Sequence, residues 1–121
     1  MTSASFAAVE GVLAEAGRPV IHTVVNEGGD GSEYVLRWGE RPLGQVRAAS
    51  RAVMQSSAGN RWYMIGNDYK WPRGAHYAGE RALAEVGGRV VGNQFVPLGT
   101  ADFDAVIEQI ERSGADCVLS T

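Results

Sequence analysis

The feature that most constrains this chain is an alternation. Short apolar runs, too brief for helices, are separated by longer segments whose apolar residues recur at helical spacing. Runs at Trp62-Tyr63-Met64-Ile65-Gly66, Val90 to Val96 and Cys117-Val118-Leu119-Ser120 begin roughly 26 to 28 residues apart, with one helical segment between each pair. Parallel strands require a crossover of about a dozen residues or more, usually a helix. The period therefore predicts βαβ units in an α/β fold, a mostly parallel sheet with helices on its faces.

The same reading extends upstream. Phe6, Val9, Val12 and Leu13 are spaced as one helix face after Ser3 or Ser5 as cap, and Gly17 with Pro19 ends it. Val20 to Val25 is a continuous β-branched run expected to be a buried strand, and Tyr34 to Trp38 suits a short strand at an edge. Arg41-Pro42 opens a second helix with Leu43, Val46, Val53 and Met54 inward, stopping over Ser56 to Asn60. A third helix runs from about Pro72 to Val86 with Ala75, Ala78, Ala82 and Val86 on one stripe, and Gly87-Gly88 closes it. A fourth starts at Thr100 or Asp102 and turns Phe103, Val106, Ile107 and Ile110 inward. The sequence opens on a helix with no strand before it and stops at the carboxyl end of its last strand, so the sheet is expected to be incomplete at both ends.

Composition narrows the function. The 121 residues suit one domain, and a net charge of −3 with no Lys/Arg cluster argues against nucleic acid as a partner. No apolar run approaches the ~18 residues of a membrane span, and the N-terminus lacks the basic region of a signal peptide. Cys117, alone and within an apolar run, reads as a small core residue. The glycine-rich loop Glu27 to Gly31 lacks the dinucleotide-binding spacing, Lys70 is the only lysine and lies in no P-loop, and no Gly-x-Ser-x-Gly elbow exists. His22 and His76 have no partners at metal-ligand spacing, and Asp102 and Asp104 read as helix-start residues. The expectation is a protein with no catalytic constellation, no metal and no cofactor, hence not an enzyme.

The stretch with most information is Gly66-Asn67-Asp68-Tyr69-Lys70-Trp71-Pro72-Arg73, which leaves a strand and enters a helix at the ligand-bearing end of the sheet. Tyr69 and Trp71 can stack on a small planar solute and offer hydrogen bonds, or they can simply pack the loop against the helix; the residues alone leave both readings open. Asp68 and Arg73 are placed to brace the loop as an ion pair.

Trp62 to Arg73 as a whole resembles the strand-and-loop signature of type I periplasmic solute-binding proteins of the amide/urea class, which includes urea ABC importers and the amide sensor of aliphatic amidase operons. Thr2 to Ser5, Ala16 to Pro19, Glu27-Gly28, Gly87 to Gly92, Val96 to Phe103 and Ala115 to Thr121 agree in the same order. The resemblance implies a fragment of a two-lobed clamshell whose lobes are three-layer and Rossmann-like with helices on both faces of the sheet, residues 1–25 resembling the end of the first lobe and 26–121 much of the second. It implies ligand contacts at Ser3, Tyr69 and Trp71, and at Thr121 near the cleft. His22 and Val24 stand where the family often has an aromatic and a hydroxyl. His22 thus joins the expected site, while Val24 removes a partner whose loss costs ~1–3 kcal/mol.

The implied ligand is a small amide, urea or amino-acid-like solute, and the implied partner an ABC permease acting through an extracytoplasmic parent protein. A cytoplasmic amide sensor and a non-binding truncated module that forms a homo-oligomer are the alternatives.

Overall fold

The computed structural model describes residues 3–27, 31–56 and 59–121, with the Ser3 side chain excepted. The expected glycine-rich loop at 28–30 and the helix stop at 57–58 lie outside the described residues. Among the described residues four helices and five strands follow in the order α1 (Ser3–Glu15), β1 (Val20–His22), β2 (Val35–Arg37), α2 (Pro42–Ser56), β3 (Arg61–Asn67), α3 (Lys70–Glu85), β4 (Arg89–Val96), α4 (Asp104–Ser113) and β5 (Cys117–Ser120), strand and helix alternating from α2 onward. All described pairing is parallel, as the spacing of the apolar runs requires.

The strands form two sheets, one of order β1-β2 and one of order β4-β3-β5. In the larger sheet Trp62 and Met64 point to one face, where Leu83 of α3 and Val53 and Met54 of α2 cover them together with Cys117 and Leu119. Met64 and Leu83 are wholly buried, and each contributes ~1.5–3 kcal/mol through the apolar surface removed from water. Tyr63 points to the opposite face. Its hydroxyl donates to Gln94 Oε1 at 2.9 Å and lies 3.4 Å from Gln109 Oε1 of α4. Helices thus cover both faces of this sheet.

The seam between α2 and α3 is tied at the surface by a two-pronged ion pair, Arg47 to Glu85, with both contacts at 2.6 Å. The hydrogen bonds from Arg47 hold the Glu85 carboxyl below the ordinary glutamate range, and the same contact raises Arg47. Where α3 ends, the Gly88 amide donates to the Leu83 carbonyl at 2.8 Å and Gly87 takes a positive φ of 82°, the glycine stop read from the sequence.

Three elements depart from the sequence reading. On α1 Val12, expected on one face with Phe6, is 66% exposed while Phe6 is buried. The β-branched run 20–25 forms a ladder only over Val20–His22; beyond it the Asn26 amide nitrogen of the backbone donates to the Glu40 carbonyl at 3.0 Å and Asn26 Nδ2 to the Val24 carbonyl at 3.2 Å, a local side-chain bond that competes with regular pairing. The rest of the run is not a buried strand, and Val24 is 45% exposed. On α4 only Val106 is buried; Ile107 and Phe103 are exposed. A three-stranded sheet offers the four-residue stripe too little surface. Ile21 and Leu36, opposite each other in the small sheet, are likewise exposed.

Candidate functional site

The strand order β4-β3-β5 reverses direction at β3. The chain leaves β3 to one side to build β4, then crosses to the other side to build β5. In open α/β sheets ligands bind outside the carboxyl ends of the strands at such a reversal, because the loops there diverge and leave a crevice. Here the flanking tips are Ile65-Gly66-Asn67 of β3 and Ser120, the last residue of β5, with Thr121 after it. The Thr121 amide still donates to the Ile65 carbonyl at 3.0 Å, so its position is fixed by the ladder.

Two clefts open at this point and share Ser120 and Thr121. The larger, about 160 Å³, is bounded by Gln45 and Val46 of α2, Trp71 and Ala75 of α3, and Leu119 to Thr121. Among the described residues no charged side chain lines it. The smaller, about 100 Å³, lies between the tips of β3 and β5 against Val96 and Phe103. Drug-sized ligands occupy roughly 300–1,000 Å³, so clefts of this size suit a small neutral group or one part of a larger ligand.

The loop from β3 into α3 sets the aromatic wall. Tyr69 takes the N-cap position with an extended backbone and is 39% exposed. Arg73 reaches back to Asp68, with Nη2 at 2.6 Å and Nε at 2.8 Å from Oδ1, and its guanidinium lies 4.7 Å from the centre of the Phe95 ring. That ion pair, and a cation–π contact that the sequence reading did not include, tie the loop to the start of α3 and to β4. Lys70 adds an ion pair to Glu27 at 3.4 Å, joining the start of α3 to the segment after β1.

Among the residues proposed from the sequence, the structure brings Trp71 and Thr121 together on one cleft. The Trp71 indole nitrogen is buried without a hydrogen-bond partner among the described residues. Tyr69 stands at the head of the same helix but does not line that cleft. Ser3 begins α1, and its side chain lies outside the described part. His22 closes β1 in the other sheet, is 6% exposed and stacks on Phe6 at 4.0 Å; neither ring nitrogen has a partner among the described residues.

His76 and Asn93 were missed by sequence reasoning. His76, 1% exposed, places Nε2 at 3.0 Å from Thr121 Oγ1 and Nδ1 at 2.6 Å from Asn93 Oδ1. Asn93 Nδ2 in turn donates to Glu80 Oε1 at 3.1 Å. The available signal was a histidine on the buried stripe of an alanine-rich helix, where a polar group needs partners. Gly66 makes room for this contact. A Cβ there would lie 2.4 Å from Thr121 Oγ1 and 3.0 Å from His76 Nε2.

A family model described as periplasmic binding protein matches residues 1–121. The chain belongs to the periplasmic binding protein family. Solved structures agree with this periplasmic binding protein fold. An R. palustris ABC transporter solute-binding protein in complex with 4-hydroxybenzoate is 26% identical, with a TM-score of 0.70 over 94% of this chain and 31% of its own. A substrate-binding protein from Sphaerobacter thermophilus is 25% identical, with a TM-score of 0.75 over 95% of this chain and 33% of its own. A Thermus thermophilus branched-chain amino acid ABC transporter structure with bound valine is 18% identical, with a TM-score of 0.80 over 98% of this chain and 32% of its own; at that identity the likeness shows the fold. This chain spans about a third of the length of each. The resemblance drawn from the sequence therefore holds at the level of the periplasmic binding protein family.

Proposed function

We propose that this chain supplies one jaw of a solute-binding protein that delivers a small polar molecule to an ABC importer on the outer side of the membrane. The observation that carries the reading is the uncharged cleft at the strand-order reversal, walled by Trp71 and floored by Thr121. An indole face and a hydroxyl suit a neutral or zwitterionic solute with a planar group, such as a short amide, urea or an amino-acid-like molecule. The R. palustris protein holds 4-hydroxybenzoate and the Thermus thermophilus protein valine, so both belong in the panel of probes. Tyr69 is proposed as a second contact at the rim, with Asp68 and Arg73 holding the loop, and Ser3 and His22 as contributions from the first lobe.

The division into lobes is part of the proposal. Residues 35–37 pair with 20–22, so a boundary at residue 25 splits a sheet; we place the crossing into the second lobe after β2. Affinity then arises when two jaws close on the solute. Calorimetry with acetamide, urea, valine and 4-hydroxybenzoate on the polypeptide as the cell produces it tests the reading. One of these is expected to saturate, and Trp71→Ala is expected to weaken it about tenfold through the loss of ~1.4 kcal/mol of contact. No saturation by any probe, or unchanged affinity in Trp71→Ala, overturns it.

A further inference from the structure

The polar chain behind Thr121 has a direction that can be worked out atom by atom. An ionised carboxylate such as that of Glu80 only accepts hydrogen bonds, so the Asn93 group facing Glu80 Oε1 at 3.1 Å is the amide NH₂. The Asn93 carbonyl oxygen therefore faces His76, and at 2.6 Å it requires a proton on His76 Nδ1. Neutral imidazole carries one proton, which leaves Nε2 as an acceptor. The Thr121 hydroxyl, 3.0 Å away, donates its proton to Nε2. A hydroxyl has one hydrogen and two lone pairs, so only lone pairs remain for the cleft.

We infer that His76, fixed as its Nδ1–H tautomer by Asn93, turns the Thr121 hydroxyl proton inward, so that the strand-tip cleft selects a solute presenting an N–H or O–H to Thr121 Oγ1. This rests on the solute-binding reading above. His76 and Asn93 are positioning residues. Neither lines the larger cleft, and Asn93 lies on the exposed side of the relay. A ligand offering only an acceptor would meet an oxygen lone pair and leave a desolvated group unpaired.

Long-range ¹H–¹⁵N correlation of the imidazole nitrogens in the uniformly labelled protein at neutral pH reads the tautomer directly. The expected pattern is protonated Nδ1 and bare Nε2 for His76; protonated Nε2 in the wild-type protein overturns the inference. Asn93→Leu removes the acceptor that fixes the ring and is expected to release the tautomer into a mixture. Binding supplies the second readout, with acetamide compared against N,N-dimethylacetamide and 4-hydroxybenzoate against 4-methoxybenzoate. The donor-bearing member of a pair is expected to bind about tenfold more tightly, and Asn93→Leu to shrink that ratio towards one. Thr121→Ser should keep the preference and Thr121→Val lose it. Equal binding of both members of a pair overturns the selection, as does a ratio unchanged in Asn93→Leu when the tautomer has been released. If none of the four probes binds, it is the solute-binding reading that fails for these classes, and the tautomer still decides the direction of the relay.

Discussion

Gly66→Ala tests how closely the strand tip is packed. The added methyl would sit 2.4 Å from Thr121 Oγ1, 2.9 Å from Pro72 Cβ and 3.0 Å from His76 Nε2. Pro72 cannot rotate away, and the other two atoms are hydrogen-bonded to each other. Three contributions set the magnitude. Alanine restricts the unfolded chain and stabilises by ~0.4–1 kcal/mol. Overpacking costs about 1–3 kcal/mol, and loss of the His76–Thr121 bond costs a further ~0.5–1.5 kcal/mol. The net expectation is destabilisation by roughly 0.5–4 kcal/mol. With a urea m-value of about 2 kcal/mol/M, the unfolding midpoint falls by roughly 0.25–2 M. Gly11→Ala is the internal control. Gly11 lies within α1 with no atom inside 4 Å of a built Cβ, so alanine should raise stability by ~0.5–1 kcal/mol. A Gly66→Ala midpoint at or above wild type refutes the close-packed tip, and with it the argument that His76 and Thr121 are held in one arrangement.

Two further outcomes follow from the packing. Leu83→Ala leaves a cavity beneath Trp62 and Met64 and is expected to cost ~2–5 kcal/mol, seen by calorimetry as a fall in Tm of roughly 10 °C or more. The depressed Glu85 carboxyl contributes stability above the ordinary glutamate range, and that contribution is lost as pH falls through its lowered value. Between about pH 7 and about pH 2 the wild type should therefore lose slightly more urea resistance than Glu85→Gln; an equal loss would show that the Arg47 contact adds nothing to folding.

Much of the architecture was legible because it depends on patterns that survive in one dimension. The apolar run before Gly66, the Ala75/Ala78/Ala82 stripe and the Gly87-Gly88 stop each act through neighbours close in sequence, and each is found where the pattern put it. The shortening of β1 was not legible, since it coincides with backbone and side-chain bonds of Asn26 that no local pattern shows. The same holds for α4, whose apolar stripe is longer than the sheet beneath it. At the site, the Asp68–Arg73 brace was visible from spacing of five residues within one loop. The relay was not: Thr121 and His76 are 45 positions apart, and Asn93 comes from a third element. Only the folded sheet brings an alanine-stripe histidine under a strand tip.

The three tryptophans differ in their surroundings, and this has an optical consequence. Trp38 is 76% exposed, Trp62 is 4% exposed within the core, and Trp71 stands half-buried along the cleft. Their emission separates accordingly, long-wavelength for the wet indole and short-wavelength for the dry one, with Trp71 between. Only that intermediate band adjoins the space a small solute would fill, so the polypeptide carries its own dye at the place where occupancy has to be read.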